Sequence, residues 1–165
     1  MQAGERLTAE RPLILGVGNL LLGDEGIGVL AAQRLAKTNL AAKADIVDGG
    51  TGGFHLLSLL QDYARVILID AAADGRPPGT ITRLRPRFAS DFPRSLSAHD
   101  IGLRDLVETA ALLGELPRID LITVSIEKVQ SLGLEVSEPV SAALARIEEL
   151  VRNLLEESGD GAKIR

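Results

Sequence analysis

Hydrophobic and polar positions divide the chain into short apolar runs and longer stretches in which apolar residues recur every three or four positions. A short continuous apolar run, bounded by glycine or charged residues, is typical of a strand buried on both faces. Runs of this kind predict five strands, at 12–18, 45–48, 65–70, 80–84 and 119–124.

Helical spacing predicts four helices: the first begins after Asp24, and the others lie at 54–60, 99–113 and 140–155. Asp24 is expected to be the N-cap of the first helix, and 85–97 a surface loop. Strands that alternate with helices predict an α/β fold: one three-layer domain, with a twisted, mostly parallel sheet and helices on both faces. This domain is expected to span 1–165, with loose ends at 1–11 and 158–165.

Composition narrows the possible partners and location. The chain has 165 residues, enough for one core, and 2 % aromatic residues with a net charge of -5 disfavour a nucleic-acid partner. The lack of cysteine excludes disulfides and thiolate metal sites. The first residues do not resemble a signal peptide and no apolar run is long enough to span a bilayer, so we expect a cytoplasmic monomer without a membrane partner.

Polar side chains lie at the predicted carboxyl ends of three strands. Glu25 follows the first strand after a glycine-rich turn, Asp48 ends the second and Asp70 ends the third. Ligands of open α/β sheets bind at this edge. His99 begins a later predicted helix and joins the same edge if that helix packs there.

Glu25, Asp70 and His99 could supply two oxygens and one nitrogen to a divalent metal with open coordination positions. Such ligands suit zinc, nickel, manganese or iron without selecting among them. Each residue also has an ordinary interpretation. Glu25 would favour the helix dipole, Asp70 would brace a turn, and His99 would lie on the surface or cap a helix.

The glycine-rich turn at 16–23 is a poor dinucleotide motif, because Leu21 occupies the third glycine position. The charges of Asp24 and Glu25 would also repel a pyrophosphate at the helix start. Gly26 and Gly28 each cost about 1 kcal/mol in a helix relative to alanine, which indicates either tight helix–strand packing or a partner's close approach.

Four segments resemble the motifs of the hydrogenase maturation endopeptidases, in the family's order and at comparable spacing. The segment Leu15–Val29 resembles the long first motif, and the shorter motifs resemble Asp48–Gly52, Leu68–Ala71 and Ser97–Leu103. The resemblance extends over roughly 13–150.

The resemblance implies a twisted, mostly parallel sheet flanked by helices and an aspartyl-type or metal-linked endopeptidase activity. The family's metal-binding residues fall on Glu25, Asp70 and His99, where glutamate at the first position is a tolerated variant. The family's substrate is the [NiFe] hydrogenase large-subunit precursor, from which a C-terminal extension is removed after nickel insertion. The resemblance thus implies nickel carried by the substrate, with zinc or another divalent metal able to occupy the site.

Asp48 is a further catalytic candidate, as a general base or, more in keeping with Asp-Gly-Gly turn chemistry, as a loop brace. The segment Ser125–Lys128 departs from the family pattern and is expected to line the cleft. The basic segment Arg83–Arg87 is expected to be a solvated strand end, with contact to a partner as the alternative. Two other functions stay open: a metal-binding assembly chaperone that does not cut, and a nucleotide-binding regulatory module.

Overall fold

A five-stranded sheet forms the centre of the computed structural model, which describes residues 11–96, 103–128 and 130–160. The strands are β1 (Leu13–Gly16), β2 (Asp45–Asp48), β3 (Arg65–Ala72), β4 (Ile81–Leu84) and β5 (Arg118–Ser125). Their order is β2-β1-β3-β5-β4, and every neighbouring pair is parallel except the antiparallel pair β4 and β5. The predicted mostly parallel sheet is confirmed.

Within the described ranges, four α-helices cover the sheet: α1 (Ile27–Leu35), α2 (Phe54–Asp62), α3 (Leu103–Leu113) and α4 (Glu138–Asp160). Short 3-10 helices occur at Gly23–Gly26, Asn39–Ala42 and Ala89–Asp91. Among the residues that the structure describes, no helix is both long and apolar enough to cross a membrane.

Successive side chains of a strand point to opposite faces of the sheet, so alternate residues belong to two separate hydrophobic cores. On one face, Ile67 and Ile69 of β3 pack against α1 and α4. On the other face, Val66 and Leu68 pack against α2 and α3. The three-layer architecture expected from the apolar runs is therefore present.

The crevice of the sheet lies between β1 and β3. The chain leaves β1 toward β2 on one side, and β3 lies on the other side of β1. Connections that diverge in this way leave a gap at the carboxyl ends of the strands. The carboxyl end of β1 leads to Glu25, and Asp70 belongs to β3.

Both predictions of loose chain ends are wrong in part. Arg11 belongs to the expected loose N-terminal end, but its Nη2 donates to the carbonyl oxygens of Ala41 (2.6 Å) and Ala44 (2.9 Å). At the other end, α4 continues to Asp160, because its apolar stripe still packs on the sheet at Leu154. Residues 1–10 and 161–165 lie outside the described part.

The expected surface loop at 85–97 is anchored to the core. Phe92 is buried among the residues that pack on α2 and α3. Further along, Leu96 forms a bridge with Ala72, and the amide of Ala73 donates to the carbonyl oxygen of Ser95. The sequence did not predict this anchoring, because two prolines and mixed polarity are typical of a surface loop.

Candidate active site

Glycines allow the start of α1 to lie directly on the sheet. A Cβ atom at Gly28 would overlap the carbonyl oxygens of Val17 and Ile69, and one at Gly16 would overlap the carbonyl oxygen of Gly28. The cost of glycine in a helix is therefore explained by tight helix–strand packing. Since Ile69 precedes Asp70, this packing also brings the segment that carries Glu25 over the end of β3.

Asp70 is fully buried within β3, two residues before the strand ends. Its Oδ1 accepts a hydrogen bond of 2.8 Å from the amide of Ala71. The sequence placed Asp70 at the strand's end. The strand continues through Ala71 and Ala72, which pair with Val124 and Ser125 of β5.

Glu25 lies in the 3-10 helix Gly23–Gly26, which precedes α1. The amide of Asn19 donates to its carbonyl oxygen at 3.2 Å, and a Cβ atom at Gly18, whose φ is 152°, would overlap that same oxygen. The turn at Gly18 and Asn19 therefore fixes the backbone of Glu25 against the end of β1.

The side chain of Glu25 is partly buried, and its Oε2 is buried without a hydrogen-bond partner among the described residues. Burial raises the pKa of this carboxyl above its ordinary value. A desolvated carboxylate oxygen without a donor gains free energy from a cation that binds it. This oxygen therefore fits the metal-binding role expected of Glu25.

The prediction that Asp24 caps α1 is wrong. The N-cap of α1 is Gly26, and no side chain of a described residue caps the preceding 3-10 helix. Asp24 is buried and accepts hydrogen bonds of 2.7 Å from both the amide and the hydroxyl of Ser137, the residue before α4. We call the carboxyl ends of β1 and β3, with the 3-10 helix that carries Glu25, the active edge. The carboxylate of Asp24 thus connects the active edge to the start of α4.

Asp48 ends β2, as expected, and is exposed. Its Oδ1 accepts from the amide of Gly50 at 2.9 Å, and its Oδ2 accepts from Gln33 Nε2 at 3.2 Å. Because β1 lies between β2 and β3, the backbone of Asp48 is about 10 Å from that of β3. One oxygen of Asp48 braces its own turn and the other binds a side chain of α1, which favours the structural interpretation over the general base.

His99 lies outside the described residues, so the geometry of the three candidate ligands together stays a prediction. Within the part of the chain that the structure describes, no three His, Asp or Glu side chains cluster closely enough to hold a metal. Glu25 and Asp70 are brought to the same edge, whereas Asp48 is held away from them by its loop.

Sequence reasoning missed two residues that organise this edge. Gln130 Oε1 accepts from the amide of Asp24 at 3.2 Å, while its Nε2 donates to the carbonyl oxygen of Glu127 at 3.0 Å. Ser137 holds Asp24 across 113 residues of sequence. No local pattern could have revealed contacts over such separations.

Comparisons with known proteins point to one family. The family model described as hydrogenase maturation protease matches residues 29–154, a range that includes Asp48, Asp70 and His99 and begins just after Glu25. The hydrogenase 2 maturation protease of Escherichia coli (strain K12) is 34 % identical over 154 residues, which are 90 % of this chain and 93 % of that protein.

Other relatives agree. The hydrogenase expression/formation protein HupD of Rhodobacter capsulatus is 36 % identical over 150 residues, which are 88 % of this chain and 71 % of that protein. The solved structure of the hydrogenase maturating endopeptidase HybD from E. coli superposes with a TM-score of 0.77 at 33 % identity, covering 90 % of this chain and 94 % of that one.

Proposed function

Because the chain belongs to the hydrogenase maturation protease family, we propose that it is an endopeptidase that removes the C-terminal extension of a [NiFe] hydrogenase large-subunit precursor. The observation that carries this proposal is the partly buried carboxylate of Glu25, whose Oε2 has no hydrogen-bond partner among the described residues. It lies on the edge that also holds the buried Asp70.

Nickel belongs to the substrate in this proposal. Glu25, Asp70 and His99 would bind the nickel that the precursor already contains, and oxygen and imidazole ligands suit this ion as well as zinc. Recognition of an inserted metal makes cleavage conditional on nickel loading, because an empty precursor lacks the ion that these side chains bind.

Binding the precursor's nickel would place the scissile peptide bond over the sheet edge. Holding reacting groups in a productive geometry can lower a barrier by several kcal/mol (order of magnitude). The backbone of Glu25 is fixed by Asn19, so this residue is held beside the end of β1 before the substrate arrives. Asp48 supports this geometry through its loop and is not required to take a proton.

The proposed partner is the large-subunit precursor, and we propose that this chain acts on it as a monomer in the cytoplasm. The nucleotide-binding alternative has no support in the site, since the 3-10 helix that leads into α1 carries Asp24 and Glu25, whose charges would repel a pyrophosphate at the helix start. A non-cutting assembly chaperone would use the same metal-binding residues, so only the appearance of a shortened precursor separates it from the peptidase.

The test is a cleavage assay on nickel-loaded and nickel-free precursor from the same organism, followed by mass spectrometry. We expect shortening of the loaded precursor only, and a loss of at least about 100-fold in rate for Glu25→Gln and His99→Ala, as misplaced reacting groups cause. The matched control is Glu149→Gln, an equal change on the exposed side of α4, which should cleave normally.

Two outcomes would contradict the proposal. Binding of every candidate nickel-loaded precursor without shortening would favour the non-cutting chaperone. Equal cleavage of loaded and nickel-free precursor would remove the metal from substrate recognition.

A further inference from the structure

Three exposed leucines lie near the 3-10 helix that carries Glu25. Leu21, Leu132 and Leu134 are 61 %, 83 % and 75 % exposed, and we call them the leucine rim. They are three of the seven large hydrophobic side chains that are strongly exposed among the described residues. Apolar side chains grouped at one exposed place commonly mark an interaction site.

Backbone contacts hold the leucine rim together. The amide of Gly133 donates to the carbonyl oxygen of Leu21, and the amide of Gly23 donates to the carbonyl oxygen of Gly133, both at 2.9 Å. Gly23 begins the 3-10 helix that carries Glu25. The rim is therefore fixed to the same short element as the candidate metal ligand.

A groove of about 520 Å³ lies beside the rim, large enough for side chains of an extended peptide. Its lining includes Leu132, Glu127 and Glu135, together with Asp24, and no lysine or arginine among the described residues. Asp24 is already bonded to Ser137, whereas neither Glu127 nor Glu135 forms an ion pair with another described residue.

The position of Glu127 is fixed although its side chain is exposed. Ile126, the preceding residue, is buried and donates its amide to the carbonyl oxygen of Ala72 at 3.0 Å. On the other side, Gln130 links the carbonyl oxygen of Glu127 to the amide of Asp24. The backbone of Glu127 is therefore anchored, which keeps its exposed carboxylate beside the groove.

We infer that the leucine rim and its groove dock the precursor segment next to the scissile bond, and that this segment combines apolar side chains with a lysine or arginine. The inference rests on the proposed peptidase function. The apolar side chains cover the rim, while the basic side chain enters the groove and pairs with Glu127 and Glu135. Both contacts are present before and during cleavage, so they lower KM and leave kcat unchanged.

The test measures kcat and KM for nickel-loaded precursor with the double variant Leu132→Ser/Leu134→Ser. We expect KM to rise at least about tenfold at unchanged kcat, since docking no longer buries two leucines. The control is Leu112→Ser on α3, the most exposed of these side chains at 87 %, which should keep the native KM.

A second variant, Glu127→Gln/Glu135→Gln, tests the basic side chain. We expect a several-fold higher KM at low salt and a weaker dependence of KM on ionic strength, because an exposed ion pair is screened by salt. Glu149→Gln again serves as the matched control.

An unchanged KM in the leucine variant, with the native chain cutting normally, overturns the docking surface and leaves the peptidase intact. An unchanged KM and salt dependence in the glutamine variant overturns the basic side chain. Failure of the native chain to cut any loaded precursor is instead a failure of the proposed function.

Discussion

Two carboxylates that lie near opposite ends of the parallel strands have opposite surroundings. Asp120 is fully buried near the start of β5 and is approached by Arg85 Nε at 2.9 Å, Arg65 Nη2 at 3.2 Å and Arg83 Nη2 at 3.5 Å. Glu25 lies at the carboxyl edge, where its buried Oε2 has no partner among the described residues.

The pKa shifts of these two carboxyls run in opposite directions. Burial alone would raise the pKa of Asp120, but hydrogen bonds from Arg85 and Arg65 outweigh it and hold this pKa below its ordinary value. At Glu25 burial acts without such compensation and raises the pKa. The buried charge of Asp120 is thus compensated by arginines, whereas the charge of Glu25 is left without compensation where a ligand is expected.

The largest effect should come from Asp120→Asn. It leaves three arginines around a neutral amide, and we expect the free energy of unfolding to fall by about 3 kcal/mol, at the low end for a broken buried pair because Arg83 and Arg85 stay partly exposed. Denaturant unfolding measures this loss. Cleavage per folded molecule should stay native, since Asp120 is far from the active edge.

Glu157→Gln is the matched control, because Glu157 pairs with the same Arg83 and Arg85 but is half exposed. Exposed ion pairs contribute less than about 1 kcal/mol. Equal losses from the Asp120 and Glu157 variants would mean that the arginines, and not the buried carboxylate, determine the stability of this edge.

A smaller effect should appear in the pH dependence of stability. The lowered pKa of Asp120 contributes stability that is present above its ordinary value, about 4, and is lost as pH falls through the folded-state pKa. The stability difference between the native chain and Asp120→Asn should therefore shrink below about pH 4. Acid titration of both chains by circular dichroism checks it, and a constant difference down to pH 2 would contradict the arginine-paired anion.

The fold could be predicted because its determinants are local. The apolar runs around Leu15, Leu68 and Leu121 are continuous, as buried parallel strands require, and the helical spacing of α1 and α4 is regular. Element ends were less accurate. The end of α4 depends on packing against the sheet, which no terminal residue announces.

The surroundings of Asp120 were predicted only in part from sequence. The segment Arg83–Arg87 ends β4 with Arg85 and Arg87 exposed, as expected of a solvated strand end, but Arg83 and Arg85 also pair with Asp120 and Glu157. Asp120 lies 35 residues from Arg85 and 55 from Arg65. The antiparallel pairing of β4 with β5 brings Arg85 to Asp120, and the parallel pairing of β3 with β5 brings Arg65. A charged residue inside an apolar run was the available signal.

The active edge was predictable in its members but not in its supports. Glu25 and Asp70 could be placed at one edge because each follows an apolar run. His99, predicted from its helix start and from the motif resemblance, lies outside the described residues and stays a prediction. The role of Asp24 could not be predicted, because its partner Ser137 lies 113 residues away and replaces the expected local cap. Tertiary contacts outweighed a local preference worth only about 1 kcal/mol.

The smallest expected change in the free energy of unfolding has the opposite sign to the largest. In the metal-free protein at neutral pH, Glu25→Gln removes a partly desolvated charge, and we expect the free energy of unfolding to rise by roughly 0.5–1 kcal/mol while cleavage is lost, as at sites where stability is sacrificed for activity. Denaturant unfolding beside Asp120→Asn measures both signs under one set of conditions. A destabilised Glu25→Gln would mean that this carboxylate has a stabilising partner in the folded chain, and the contrast between the two edges would then fail.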